Sequence, residues 1–270
     1  MRYIPLSNSI YKRNRSNFMN EMKGNSMAVF NSNDIYPVSA DSELPFEQHR
    51  DIFHLTGIDQ EETILLLYPP SKDDKTREIL FIRKSDNHTK VWEGEKLSKK
   101  QANELSGIDS IYFIDDFKDI LSSIATKVDT FYINKNEHYR ANSPVETRED
   151  RFISWLLKKY PAHNVAKSNP ILQRQRSIKH PDEIDQIKKA CDITRKGFNR
   201  VLEFIKPNVW EYEIEAEFIH EFINSSSKGF AYSPIIASGN DNNVLHYVKN
   251  NKQCKSGELI LMDVGAEYGN

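Results

Sequence analysis

In the second half of this chain, the segment most informative about architecture is Gly257-Glu258-Leu259-Ile260-Leu261-Met262-Asp263-Val264-Gly265. It is an apolar run of strand length, bounded by glycines, and such runs are typical of strands buried in a sheet. The run carries one carboxylate, Asp263, to its end. An isolated aspartate at a strand end most often caps the next turn. The stretch alone therefore predicts a buried strand and leaves the role of its carboxylate open.

The composition predicts a globular protein of one or two domains. The chain has 270 residues, of which 38% are hydrophobic and 28% are charged, as in ordinary folded proteins. The formal net charge is −2 and both signs are scattered, so no basic stripe indicates a nucleic-acid partner. No apolar stretch approaches the ~20 residues that span a bilayer, which argues against a membrane partner.

The N-terminus and the cysteines predict the cellular compartment. The first residues lack the apolar core of an export signal, and Cys191 and Cys254 lie far apart in the sequence. Without an export signal, two reduced thiols are favoured over a disulfide. We therefore expect a cytoplasmic protein, with Cys191 buried on the apolar face of a helix.

Apolar runs in the first part of the chain alternate with helical segments. Strands are predicted at 27–30, 62–68, 77–82, 111–114 and 130–133, and this alternation indicates a mixed α/β domain. Ser98-Lys99-Lys100-Gln101 fits a helix-starting capping box. Thr147 opens a further helix, which must end before Pro161.

A polar stretch at 166–177 separates this part from two long amphipathic helices. The first begins at Pro181, and its apolar face carries Ile184, Ile187, Cys191, Thr194, Phe198, Val201, Leu202 and Ile205. A second helix around 214–222 and strands at 234–237 and 259–264 follow. We place the first domain at 1–173 and the second at 178–270.

Five separated segments carry one joint pattern, at 48–57, 177–184, 230–239, 245–247 and 261–268. In this order and spacing they resemble the Xaa-Pro aminopeptidase (aminopeptidase P) family. The resemblance implies an α/β N-terminal creatinase-like domain, with a mixed sheet and flanking helices. It also implies an α+β pita-bread catalytic domain, which is expected to be incomplete in this chain.

The resemblance implies a metal-dependent hydrolase. The family releases the N-terminal residue from short peptides with proline at the second position, by attack of a hydroxide that bridges two divalent metal ions, most often Mn²⁺. Such ions lower the pKa of bound water and polarise the scissile carbonyl, and carboxylate oxygens suit Mn²⁺. Asp263 matches the first metal ligand of the family set Asp, Asp, His, Glu, Glu. The other ligands are expected beyond Asn270, so we expect the 270-residue chain alone to be inactive.

Three further residues match functional positions of the family. His246 matches a histidine beside the metals that acts in catalysis and substrate binding, where an imidazole can donate to a developing oxyanion. Tyr232 matches a tyrosine of the substrate pocket. Trp92 matches a tryptophan that some members place over a neighbouring subunit's active site, which implies a homo-oligomer (dimer or tetramer). Without the resemblance, these residues would be a structural histidine, a core aromatic and a surface packing residue.

Two alternatives to aminopeptidase activity stay open. A pita-bread domain that has lost metal ligands can act as a non-catalytic module that binds peptides or proteins. The same fold also supports hydrolases of the prolidase or creatinase type, because fold does not fix substrate.

Overall fold

The structure, a computed structural model, describes residues 3–138 and 143–270. It divides into two compact units. The first unit is Leu6–Ile178, and the second is Lys179–Asn270 together with residues 3–5. No helix within the described ranges is both long and apolar enough to cross a membrane.

The first unit is built on a six-stranded mixed sheet. Its strands are β1 (Ser26–Asn31), β4 (Ile64–Leu67), β5 (Glu78–Ile82), β6 (Ser110–Phe113), β7 (Thr130–Ile133) and β8 (Asn164–Lys167), and a separate ribbon pairs β2 (Pro37–Ser39) with β3 (Ser42–Glu43). The order in the sheet is β6-β5-β4-β1-β7-β8. The pairs β1–β4 and β4–β5 are antiparallel, whereas β5–β6, β1–β7 and β7–β8 are parallel. The mixed sheet predicted from the sequence is therefore confirmed.

Eight α-helices are described in this unit, together with a 3₁₀ turn at Ile114–Asp116. They are α1 (Asn8–Glu21), α2 (Arg50–Thr56), α3 (Asp74–Arg77), α4 (Asn87–Trp92), α5 (Lys99–Ser106), α6 (Phe117–Ala125), α7 (Arg148–Lys159) and α8 (Asn169–Ser177). The predicted capping box at Ser98 is present at the start of α5. Thr147 caps α7, which ends before Pro161 as expected. The polar stretch at 166–177 forms the end of β8 and all of α8.

Strand β1 shows why the sheet has helices on both faces. Ala28 and Phe30 belong to one apolar cluster, whereas Met27 and Val29 belong to another, because side chains alternate between the faces of a strand. Helices α1, α2, α5 and α8 supply side chains to the first cluster, and α6 and α7 supply the second. Burial of a side chain as large as Phe30 contributes about 1.5–3 kcal/mol, so both faces stabilise the unit.

The segment 48–57 builds helix α2 and its two flanks. The buried Gln48 side chain donates through Nε2 to the carbonyl oxygens of Ile58 (3.1 Å) and Gln60 (2.9 Å), on the far side of the helix. Gly57 ends the helix with φ +69°, and a Cβ there would lie 2.3 Å from Cε2 of the Tyr11 ring. The position therefore requires glycine for both its backbone conformation and its space.

The second unit packs two long helices against a two-stranded sheet. The helices are α9 (Pro181–Phe204) and α10 (Glu211–Asn224), and the strands are β9 (Ile235–Ser238) and β10 (Ile260–Asp263). The strands are antiparallel, with Ile260 opposite Ser238 and Asp263 opposite Ile235. A 3₁₀ turn at Gly239–Asn243 follows β9. The two predicted strands are confirmed, and Pro181 occupies the first turn of α9 as expected.

The predicted apolar face of α9 is partly wrong. The buried residues are Ile193, Gly197 and Val201, which lie four positions apart and form one ridge. Cys191 is exposed, and Leu202 is 67% exposed. The reason is Gly197, where a Cβ would lie within 3 Å of ring carbons from two phenylalanines of α10. The helices approach each other along this ridge, which leaves flanking apolar side chains uncovered.

Candidate functional site

Asp263 is the last residue of β10 and its side chain points to the surface. The strand is held by β9, since Asp263 lies opposite Ile235 in the antiparallel register. The residue itself is exposed. Its Oδ1 accepts a hydrogen bond of 2.6 Å from the Tyr232 hydroxyl. The structure thus brings together two of the residues predicted as functional from the sequence.

Tyr232 reaches Asp263 because its segment pairs with the residues after β10. Ala231 donates its backbone N–H to the Gly265 carbonyl at 2.8 Å, and Phe230 forms an antiparallel bridge with Ala266. The Tyr232 ring then lies over Gly265, where a Cβ would be 3.3 Å from Cε1 of the ring. Glycine at this position therefore allows the close approach that the hydrogen bond requires.

The Tyr232 hydroxyl acts as a donor near neutral pH. Its hydrogen bond to Asp263, together with partial burial and the nearby negative charge, raises the pKa of Tyr232 to about 12. The phenol therefore keeps its proton and directs it at Oδ1. Among the described residues, Oδ2 of the same carboxylate takes no hydrogen bond, so only Oδ1 is held by a neighbouring side chain.

The donor chemistry of Asp263 fits one arm of a divalent-cation site. Carboxylate oxygens are hard ligands of the kind that Mg²⁺ and Mn²⁺ prefer, and a ligating carboxylate is commonly oriented by a neighbouring hydrogen bond. Within residues 3–138 and 143–270 there is no group of three or more His, Cys, Asp or Glu side chains arranged to hold a metal ion. Asp263 is thus a candidate single ligand rather than part of a complete set.

His246 lies on the segment that follows the 3₁₀ turn and precedes β10. Its imidazole is exposed, whereas the next residue, Tyr247, is only 7% exposed. None of the contacts that the structure describes joins His246 to Asp263 or Tyr232. Its predicted catalytic role therefore stays a prediction.

Trp92 belongs to the first unit and is the last residue of α4. The indole is 76% exposed and lies tilted against the His88 ring, with 6.0 Å between centroids. The next residue, Glu93, is held by two hydrogen bonds from Arg83, at 2.7 and 2.8 Å. The exposed indole therefore precedes a residue held by an ion pair, and the substrate-binding role of Trp92 stays a prediction.

Sequence reasoning missed Glu211, which lies at the start of α10 and is fully buried. Its carboxylate accepts hydrogen bonds from Ser238, Tyr247 and Lys252. An acidic residue in the first turn of a helix is an ordinary response to the helix dipole. Nothing in the sequence therefore distinguishes Glu211 from the nearby Glu213. Glu211 stands out only in the folded chain, where donors from residues 238–252 reach its carboxylate.

Comparisons with known proteins agree in both halves of the chain. Residues 11–132 match the family model described as aminopeptidase P, N-terminal domain, and residues 185–270 match that of metallopeptidase family M24. The Xaa-Pro aminopeptidase of Escherichia coli is 28% identical over 269 residues, which cover 97% of this chain and 60% of that protein.

Solved structures show the same similarity. The structure of Pseudomonas aeruginosa aminopeptidase PepP matches with a TM-score of 0.87 and 27% identity, covering 100% of this chain and 60% of that one. A zinc-substituted E. coli aminopeptidase P in complex with product matches with a TM-score of 0.85 and 27% identity, covering 98% and 60%. The chain spans about 60% of the length of these relatives.

Proposed function

Because the chain belongs to the aminopeptidase P family of the M24 metallopeptidases, we propose that this protein is a metal-dependent aminopeptidase. Its substrates are short peptides with proline at the second position, and its product is the released N-terminal residue. The observation that carries the proposal is the Tyr232–Asp263 pair at the end of β10. It presents an oriented carboxylate, open on one oxygen, at the place where the family motif puts a metal ligand.

The substrate bond explains why a dedicated enzyme is needed. Proline has no backbone N–H and its ring fixes φ, so a peptidase cannot grip the residue after the scissile bond through that donor. A bound divalent metal ion would supply a reactive hydroxide and polarise the carbonyl. Asp263 would hold the metal, and Tyr232 would orient Asp263. The exposed imidazole of His246 would donate a hydrogen bond to the oxyanion that develops at the carbonyl.

The metal content, the location and the assembly belong to the same proposal. We propose two metal ions, with Mn²⁺ as the loaded metal, because a carboxylate-rich ligand set suits a hard cation. A cytoplasmic location is supported by Cys191 and Cys254, which are both thiols. A homo-oligomer is supported by Trp92, whose 76% exposed indole is of the kind enriched at protein interfaces. In that assembly Trp92 would contact substrate in a neighbouring subunit.

The test uses the purified full natural protein and three peptides: X-Pro-Y, X-Ala-Y and the dipeptide X-Pro. We expect release of X from X-Pro-Y only, loss of activity with a chelator and recovery with added Mn²⁺. Cleavage of the dipeptide instead would favour prolidase chemistry. Failure of Mn²⁺ and other divalent ions to restore any cleavage would reject the proposal.

A variant pair makes the test specific to the site. Asp263→Asn keeps the size of the side chain but weakens a metal ligand. We expect its kcat/KM to fall more than ~100-fold, since changes beside a ligand alone cost about 10–100-fold. The matched control is Asp192→Asn, a half-exposed aspartate paired with Arg195 on α9, which should retain activity. Equal activity in both variants would contradict a metal role for Asp263.

A further inference from the structure

Glu211 is a fully buried carboxylate (0% exposed) that the proposed chemistry does not use. Oε1 accepts hydrogen bonds from the Ser238 backbone N–H (2.8 Å) and hydroxyl (2.7 Å). Oε2 accepts from the Tyr247 hydroxyl (2.7 Å) and the Lys252 backbone N–H (3.0 Å). A buried charge is costly unless it is fully hydrogen-bonded. Four donors and the positive end of α10 meet that requirement here.

These hydrogen bonds join three separate parts of the second unit. Ser238 is the end of β9, Glu211 is the start of α10, and Tyr247 and Lys252 lie on the segment 244–252 that carries His246. The Tyr247 hydroxyl stays protonated as a donor, because burial, followed by its contact with Glu211, raises the pKa of Tyr247. The carboxylate therefore fixes the segment one residue after His246 and again six residues after it.

Asn250 attaches the same segment to β9 at the end where Asp263 lies. Its Oδ1 accepts from the Ile236 N–H at 3.0 Å, and its Nδ2 donates to the Pro234 carbonyl at 3.1 Å. Ile235, between these two residues, is the register partner of Asp263. The segment is thus held along the strand that pairs with the candidate metal ligand.

We propose that Glu211 is a positioning residue for the reaction, which holds the segment 244–252 against β9 so that the His246 imidazole keeps a fixed place relative to Asp263. The inference rests on the proposed function. Glu211 itself touches neither substrate nor metal in this role. It acts through Tyr247 and Lys252, and its loss should affect the step that uses His246 more than substrate binding.

Glu211→Gln is the decisive variant because it preserves the size of the side chain. An amide offers one acceptor oxygen and one NH₂ group, so in either orientation two donors would face another donor. The segment should loosen while the helices stay in place. The matched control is Glu217→Gln on the same helix, where the carboxylate pairs with Arg200 of α9 and does not contact the segment.

The first measurement is amide hydrogen exchange of the metal-free full natural protein. We expect exchange in 244–252 to become at least ~10-fold faster in Glu211→Gln and to stay unchanged in Glu217→Gln, because local opening follows the loss of local hydrogen bonds. Should Glu211→Gln fail to fold, Tyr247→Phe removes one donor without adding a group, and a smaller increase of the same kind is expected. Unchanged exchange in the folded variant would overturn the proposal.

The second measurement is a double-mutant cycle with His246→Ala on an X-Pro-Y peptide. In the wild-type background Glu211→Gln should lower kcat ~10–100-fold with KM changed less than ~3-fold. In the His246→Ala background it should lower kcat less than ~2-fold, because residues that act through one another are not additive. Equal losses of kcat in the two backgrounds would overturn the proposal that Glu211 acts by positioning His246. Absence of cleavage by the metal-loaded wild type would reject the proposed function itself, and hydrogen exchange would still decide whether Glu211 holds the segment.

Discussion

The contact between Tyr232 and Asp263 joins two residues that lie 31 positions apart in the sequence. Its geometry depends on Gly265, over which the tyrosine ring lies. A carboxylate that is held by a hydrogen bond at one oxygen loses less rotational freedom when its second oxygen binds a cation. Tyr232 and Asp263 together therefore supply an oriented ligand as well as a negative charge.

Tyr232→Phe tests this orientation. It keeps the ring on Gly265 and removes only the donor to Asp263. Because Tyr232 is 49% exposed, we expect the free energy of unfolding to change by about 1 kcal/mol or less. Metal affinity or kcat/KM should fall about 10–100-fold. Isothermal titration measures the metal affinity and peptide hydrolysis measures kcat/KM. The control is Tyr212→Phe, which alters an exposed tyrosine on α10. Identical metal affinities of the two variants would contradict the assigned role.

Gly57→Ala tests a backbone requirement in the first unit. A Cβ at φ +69° is strained and would lie 2.3 Å from the Tyr11 ring, so we expect destabilisation of about 2–4 kcal/mol. Gly24→Ala is the control, since nothing lies within 4 Å of a Cβ there. Denaturant unfolding compares the two variants. A midpoint for Gly57→Ala equal to that of Gly24→Ala would show that the ring moves aside without cost.

Helix α2 shows how an element can depend on one titratable side chain. His49 is its N-cap, and the Nδ1 atom accepts a hydrogen bond from the Asp51 backbone N–H at 3.2 Å. Burial lowers the pKa of His49, and this outweighs the opposing effect of Asp51, while Arg176 and Arg50 lower the pKa further. The folded state thus favours the neutral ring, which is also the only form that can accept the capping bond.

The first unit should therefore lose stability on acidification. An unfolded histidine has a pKa near 6.5, so the unfolded chain takes up the proton before the folded chain does. The stabilisation is fully present above about pH 6.5 and is lost as the pH falls through the lower folded-state pKa. The measurement is the denaturant unfolding midpoint as a function of pH between 7.5 and 5. His49→Asn keeps a capping acceptor, so its midpoint should fall less over this range than that of the wild type. A profile parallel to wild type would contradict the assignment.

The molecule as a whole has the fold class that the sequence predicted. The mixed α/β sheet with flanking helices and the M24 match over 185–270 confirm an aminopeptidase P N-terminal domain joined to part of a pita-bread domain. Each unit has apolar clusters of its own. The first unit contains a complete sheet with both faces covered, which is the usual condition for independent folding.

Residues 6–178 produced alone should therefore unfold in one cooperative transition, with a stability in the usual range of about 5–15 kcal/mol. Circular dichroism during thermal and denaturant unfolding measures this, and coincident transitions at near- and far-ultraviolet wavelengths would support it. Gly57→Ala in the same fragment should lower the midpoint. A broad, non-cooperative transition of the unaltered fragment would contradict an independent first unit.

Features that depend on near neighbours along the chain follow from the order of the amino acids alone. The capping box at Ser98, the start of α9 at Pro181 and the strands that end near Asp263 follow from local hydrogen bonding, fixed φ and side-chain period. The family pattern added Asp263, Tyr232, His246 and Trp92 as candidates, without fixing their contacts. Two features require the folded chain: Gly197 lets α9 and α10 approach each other, and Glu211 accepts hydrogen bonds from four donors. These depend on chain segments that return from distant positions, and no local preference encodes where a buried carboxylate will meet its donors.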